Sequence, residues 1–259
     1  MSKLNIKDSA LLNKLKGDIL RVAFKAQEGH IPSSISILEP VMAAHDILDL
    51  TDDGTDSLVL SKGHGSLALY VVLAHLGTIS EDELNTFCLP GGILGGHPDS
   101  TKIKGVVNSS GSLGHGLPFA AGVAYAKLNL SPKNEGRVLC IVGDGELNEG
   151  SNWEAAMLAA HHNLKNLMVW VDYNHSGDRA VRLDNLEDKW ASFGFEVEVV
   201  DSHDLAKVKT SLERRAKVPR VVIGNSIKGS GISFMENNPA WHHGKLDALH
   251  LELALKELI

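Results

Sequence analysis

Apolar residues are spaced differently in the two halves of the chain. In the first half Leu11, Leu15, Ile19 and Val22 recur at three- and four-residue steps, predicting an amphipathic helix over 9–27 that Gly29 stops. A second helix is predicted from near Ser36 to Leu48, with Glu39 completing a capping box and Pro40 close to the first turn, where its cost is small. Residues 65–77 and 80–87 also read as helices, the latter opened by Ser80 with Glu83. Residues 88–118 keep no period and are rich in glycine, and a connection that long is usually functional or disordered. Helical spacing returns over 117–128. Beyond it the pattern alternates: the segments 137–142, 167–172, 195–200 and 220–227, rich in Val, Ile and Leu, read as strands, and 150–162, 186–193, 203–217 and 246–258 as helices. Such alternation predicts an α/β fold, a mainly parallel sheet with helices on both faces. No repeat, low-complexity tract or linker divides the chain, so 1–259 is expected to form a single domain.

Charge narrows the choice of partner. The net charge is −7, and no lysine or arginine block interleaves with aromatics, which argues against nucleic acid. No apolar run approaches a membrane span, and the N-terminus has no apolar stretch after its lysines, so neither a membrane nor a leader is expected. Cys88 and Cys140 make neither a disulfide framework nor a zinc motif, and a cytoplasmic location follows as the default. One feature is unusual: 25 glycines and 13 histidines cluster, with His30, His64, His97, His115 and His242 beside glycines. Glycines grouped this way mark tight turns or backbone brought close to a ligand.

Parallel sheets bind ligands beyond the carboxyl ends of their strands. One apolar run ends on Gly143-Asp144-Gly145 and leads into a helix, and the next ends on Asp172-Tyr173-Asn174. One β-α-β crossover fits between Asp144 and Asn174 and would bring a carboxylate and an amide oxygen to one rim. A hard divalent cation takes such oxygens and shares phosphate oxygens with them. Flanking glycines would admit the phosphates, and the following helix N-terminus would favour their charge.

These residues carry a resemblance. GDG…EG…WEAA followed by an asparagine at the next strand end resembles the thiamine-diphosphate motif. The wider pattern resembles the N-terminal half of transketolases, through EGH at 28–30, SKGHG at 61–65, GGHPD at 95–99, SSGSLGHGL at 109–117 and IKGSGISFMENNPAWHHG at 227–244. The resemblance implies thiamine diphosphate with a divalent metal: Mg2+, or Ca2+ or Mn2+. It implies that Asp144, Asn174 and the Ser176 backbone carbonyl coordinate the metal. Gly143 and Gly145 would lie against the diphosphate, and Gly111, Ser112 and Leu113 near the cofactor. His64 and His97 would face the thiazolium and the substrate, and His30 would bind substrate hydroxyls. Glu149 and Glu154 match acidic residues at a dimer interface that links two active sites. The family has one histidine before the glycine near 244, whereas this chain has His242 and His243; the preceding Trp241 favours His242, and either ring could face the cofactor. Pro32, Ser33 and Ser34 replace a glycine-rich run, and HSGDRAVRLDN at 175–185 replaces a hydrophobic one, so both loops are expected to differ from the family's.

The same resemblance implies a two-carbon ketol transfer between sugars, for which imidazoles near neutral pKa can bind hydroxyls and move protons. The family's activating glutamate lies in a second, pyrimidine-binding domain, and this chain ends about two-fifths of the way along a whole transketolase. It reads as the N-terminal subunit of a two-gene enzyme, or as a fragment. The first reading implies a C-terminal partner subunit, sugar phosphate substrates and an α2β2 heterotetramer. Segments 88–118 and 228–245 are the expected partner surface. The α subunit of a 2-oxo acid dehydrogenase and a non-catalytic thiamine-diphosphate-binding module stay open as other readings; loss of His64, His97 or Glu149 would mark the latter, and all three are present.

Overall fold

Strands rich in Val, Ile and Leu can be buried on both faces only inside a covered sheet, and such a sheet organises the molecule. The computed structural model describes residues 9–130 and 136–259, so the expectation about a leader at 1–8 lies outside it. Strands β1 (Ser57–Leu60), β2 (Val138–Gly143), β3 (Leu167–Tyr173), β4 (Glu196–Asp201) and β5 (Arg220–Asn225) form one sheet in the order β1-β2-β3-β5-β4. Every pairing is parallel. Alternate residues of β2 serve two cores. Leu139 and Ile141 join Trp170 and Val222 beneath α1 (Ser9–Ala26), α3 (Leu38–Ile47), α4 (Ser66–His75) and α9 (Leu205–Glu213). Val138, Cys140 and Val142 point the other way, towards α6 (Gly116–Tyr125), α7 (Gly150–His161) and α8 (Leu186–Ser192). Ala120, Ala121 and Ala124 of α6 and Ala155, Ala156 and Ala159 of α7 line that second core with small side chains. The closing helix α10 (Ala248–Glu257) packs on α1.

The predicted α/β architecture holds, with local differences that have physical reasons. Strand β1 is only four residues long between polar turns, too short to show a period, although all four residues are buried. The helix expected at Ser36 begins at Leu38, after a separate short helix α2 (Ile31–Ile35) with Pro32 in its first turn. No capping box forms there: Ser36 and Glu39 are buried and bond to Asp172 and His203 instead. The box at Ser80 and Glu83 does form, on the short helix α5 (Glu81–Leu84). Helix α9 starts after Asp204, whose side chain accepts the Lys207 N–H, and ends at Glu213 rather than 217. From the end of α5 to Gly116 there is no helix or strand, as the lost period predicted. In the two segments expected to face a partner, Leu94, Ile103, Val106, Ile232 and Met235 are buried within the chain and Val107 is exposed; Phe119, Met157 and Leu158 also stand exposed, on α6 and α7.

Because all strands run the same way, the loops after β1, β2, β3 and β5 leave from one edge of the sheet. The candidate site is there.

Candidate active site

The β2 and β3 ends are in register, Gly143 beside Asp172, so the residues just beyond them meet. Asp144 is 3% exposed. Its carboxylate accepts the Gly145 N–H at 2.7 Å and the Gly177 N–H at 3.2 Å. No cationic side chain among the described residues lies within ion-pair distance of it. Burial pushes this carboxyl up, and the nearby Asp172 charge adds to that, against the two backbone bonds. Gly177 makes the approach of the two loops possible: a Cβ there would stand 2.7 Å from Gly145 Cα and N. Asn174 donates its amide N–H to Asp172 at 2.9 Å and accepts the Ser176 N–H at 3.1 Å, which fixes which end of the amide is oxygen. A buried carboxylate without a cation, an oriented amide oxygen and the Ser176 carbonyl are an oxygen-only donor set. They fit a hard divalent cation that completes its shell with phosphate oxygens. No group of three His, Cys, Asp or Glu that could hold a metal exists among the described residues, so a cation here would depend on those amide and ligand oxygens.

Beneath this rim Asp172, wholly buried, gathers four elements. It accepts bonds from Lys62 after β1, Ser226 after β5, Ser36 before α3 (2.7 Å) and Asn174. Burial alone would raise its pKa, but the Lys62 charge and these donors outweigh that and hold it below the usual carboxylate range. Lys62 also donates to the Ser33 carbonyl at 3.2 Å. Glu146, the residue after Gly145, is buried as well. It accepts bonds from Ser61, from the Gly114 N–H at 2.9 Å and from the Gly143 N–H at 3.1 Å, tying three loops to one carboxylate.

The histidines form the opposite wall. His30 lies at their centre, its ring centroid 5.3 Å from His64, 6.4 Å from His97, 5.3 Å from His242 and 4.6 Å from His243. They come from four separate segments. His97 is brought in by the close contact of two glycine loops, since a Cβ on Gly63 would stand 2.1 Å from Ser110 Oγ and 3.1 Å from the His97 ring. Burial is the main cause that lowers each of His30, His64, His97 and His242; neighbouring imidazoles add to it for His30, bringing it to about 4, and Lys62 adds to it for His64. These rings are therefore neutral near pH 7, able to donate at one nitrogen and accept at the other.

The two walls enclose a cleft of about 420 Å³ lined by His30, His64, His97 and His242 on one side and by Gly143, Asp144, Gly145, Asn174 and Ser176 on the other. Gly111 and Leu113 also line it, whereas Ser112, His243, Glu149 and Glu154 do not. Ser112 is exposed beside it, and Glu149 and Glu154 are exposed at the start of α7. Between His242 and His243 the structure makes a clear division: His242 is in the wall, 2.7 Å from Lys228, and His243 bonds to Glu28 at the rim. Lys62 and Lys228 also line the cleft, each in a motif beside glycines that does not by itself mark a site residue. Lys228 lines the cleft, 3.2 Å from Ser176 Oγ, and burial with the Lys62 charge pulls it down to about 8. Two ammonium groups beside a metal-type oxygen set are what a diphosphate needs. Of the divergent loops, 31–35 became a buried helix and 177–179 a single tight turn against Gly145.

A parallel α/β sheet with an oxygen-donor rim, two lysines and a facing histidine wall defines a diphosphate-cofactor domain. The model for the transketolase thiamine-diphosphate-binding domain matches residues 26–258, and the chain belongs to the transketolase family. It is 40% identical over 243 residues to an apulose-4-phosphate transketolase subunit of Actinobacillus succinogenes, covering 89% of this chain and 87% of that one. To a 6-deoxy-6-sulfo-D-fructose transketolase subunit of Clostridium sp. it is 36% identical, covering 89% and 88%. The transketolase structure from Campylobacter jejuni superposes with a TM-score of 0.89 at 25% identity; the match covers 96% of this chain and 42% of that one. The chain thus corresponds to the N-terminal, thiamine-diphosphate-binding subunit of split transketolases.

Proposed function

We propose that this chain is the cofactor-holding subunit of a two-component transketolase, which moves a two-carbon ketol unit from a ketose to an aldose. The observation that carries the proposal is the joining of the oxygen-donor rim and the histidine wall in one cleft. Asp144, the Asn174 amide oxygen and the Ser176 carbonyl would hold Mg2+, Ca2+ or Mn2+, and Lys62 and Lys228 would add positive charge beside the diphosphate. Bound thiamine diphosphate supplies the nucleophilic carbon and the electron sink for breaking a bond next to a carbonyl. The chain's own residues do the rest on this side. His30 binds substrate hydroxyls, and the neutral His64, His97 and His242 accept or donate protons as sugar hydroxyls and carbonyls interconvert. His64 and His242 would also face the cofactor's thiazolium side, with Gly111, Ser112 and Leu113 near it.

The remainder of the site would come from a C-terminal subunit with a pyrimidine-binding domain, in an α2β2 assembly whose cofactors lie between unlike chains. Exposed Phe119, Met157 and Leu158, next to Glu149 and Glu154, support a protein contact on the α6–α7 face. The 259 residues would act there as one domain. No helix among the described residues is long and apolar enough to cross a membrane, and both cysteines are free; a cytoplasmic setting fits this reading. Sugar phosphates, or related sugars such as those in the relatives' names, are the proposed substrates.

The test follows carbon. With both subunits, thiamine diphosphate and magnesium, a ketose labelled at its first two carbons should pass both labels to the aldose, lengthened by two. Carbon dioxide release from a 2-oxo acid, with no labelled sugar, would favour the dehydrogenase-type reading instead.

A further inference from the structure

Behind the turn that carries Lys228 stands a trio of polar side chains outside the cofactor cleft. Lys16 of α1 and Glu39 of α3 are buried, and His203, between β4 and α9, is 18% exposed. His203 Nδ1 lies 3.1 Å from Glu39 Oε1, and its Nε2 takes the Ile227 N–H at 2.8 Å. A backbone N–H only donates, so Nε2 carries no proton and the ring is not an imidazolium. Its single proton is on Nδ1 and is donated to Glu39. Lys16 Nζ is 4.0 Å from the same Glu39 oxygen and donates to the Ser230 carbonyl at 3.1 Å.

Polar groups placed in a core cost stability unless they are paired, and here Glu39 joins the other two. Among the described residues, the hydrogen bonds these side chains make outside the trio both go to one turn, to Ile227 and Ser230 on either side of Lys228. The turn belongs to no helix or strand, and Gly229 and Gly231 bend it with φ of 82° and 86°. From it the Lys228 side chain enters the cleft, where Nζ meets Ser176 Oγ and His242 Nδ1. A lysine ammonium is a point charge on a flexible four-carbon stem, so where it acts depends on where its backbone is held.

We propose that Glu39, His203 and Lys16 are positioning residues for the cofactor's diphosphate: a clamp outside the cleft that holds the 227–231 turn so that Lys228 meets the phosphate charge. The proposal rests on the thiamine-diphosphate reading of the cleft and adds to it three residues that touch neither cofactor nor substrate. A clamp that served stability alone would act independently of Lys228. A positioning clamp would act through it, and the two effects would not add.

The test is thiamine-diphosphate affinity of the two-subunit complex in the presence of magnesium, measured by titration calorimetry. His203→Ala should weaken it about 10-fold. Lys228→Met should weaken it at least as much, and the double variant no more than Lys228→Met alone. Lys16→Met, on a different helix, should also weaken it and should likewise add nothing to Lys228→Met. His203→Gln, whose amide oxygen reaches the place of Nε2 and can take the Ile227 N–H, should recover most of the loss. His203→Asn, which reaches only the place of Nδ1, should not. Additive losses in the double variants, or unchanged affinity in His203→Ala and Lys16→Met, would overturn the proposal. Should His203→Ala fail to fold, nitrogen NMR of the wild-type imidazoles remains: the His203 proton should be on Nδ1, with Nε2 bare, and a proton on Nε2 overturns the clamp. Failure of the cofactor reading looks different, since the wild-type complex would then bind no thiamine diphosphate at all.

Discussion

The two walls of the cleft are built by different means. The oxygen-donor wall uses the ends of two adjacent parallel strands, and its geometry is set by backbone: register, two amide N–H bonds to Asp144 and the Gly145–Gly177 contact. The histidine wall uses side chains from four segments far apart in sequence, held by packing and by partners such as Lys228. A backbone-built wall tolerates little change and holds a fixed charge in place. A wall of neutral imidazoles can accommodate different hydroxyl patterns while keeping its proton chemistry. On this account the first wall serves binding and the second serves turnover and choice of substrate.

The largest expected effect is on the first wall. Asp144→Ala removes the one carboxylate in the donor set, so metal-dependent thiamine-diphosphate binding should be lost altogether, as read by tryptophan fluorescence in a joint titration with magnesium. Unchanged affinity would put the metal elsewhere. His64→Ala and His97→Ala should lower kcat by about 10²–10⁴-fold with far smaller changes in cofactor affinity, the signature of groups acting on the reacting sugar. If both variants lost affinity and kept kcat, the division of labour between the walls would be wrong. Gly177→Ala is a sharper probe of the backbone wall. A methyl group 2.7 Å from Gly145 forces the loops apart, and cofactor affinity should fall about 10-fold or more while the circular dichroism of the fold is retained.

The smallest effect is a pH dependence of stability from the second wall. His30 has its folded pKa lowered from about 6.5 to about 4, mainly by burial, so between those values the unfolded chain binds more protons. Stability should therefore fall as pH drops from about 6.5 towards 4, and thermal melts of His30→Gln should show a shallower fall than wild type. A steeper fall in the variant would mean that His30 is not held neutral.

The contrast between the walls also explains what could be read in advance. Gly143-Asp144-Gly145 and Asn174 are legible because the two strand ends of a β-α-β unit meet at one rim, as the pairing of β2 with β3 has it. The histidines share only their place beside glycines, and their roles come through the family resemblance, since nothing local joins residue 30 to residue 242. Lys62 and Lys228 were hidden for a related reason: their role depends on Asp172, Ser33 and His242, which come from other loops. Ser36 and Glu39 misled because a capping pattern is indistinguishable from two polar residues needed in the interior. Ser36 bonds to Asp172, and Glu39 to a His203 that itself accepts the Ile227 N–H at 2.8 Å. Strand β1 lacked the length to announce itself.

That a backbone-built cofactor wall on one subunit works only when a second subunit completes it is the central claim, and reconstitution tests it most directly. Ketol transfer to an aldose phosphate would be measured with this chain alone, with only the pyrimidine-binding subunit, and with mixtures of varied ratio, all saturated with thiamine diphosphate and magnesium. The account predicts turnover only in the mixtures, greatest at a one-to-one ratio. Substantial turnover by this chain alone would contradict it.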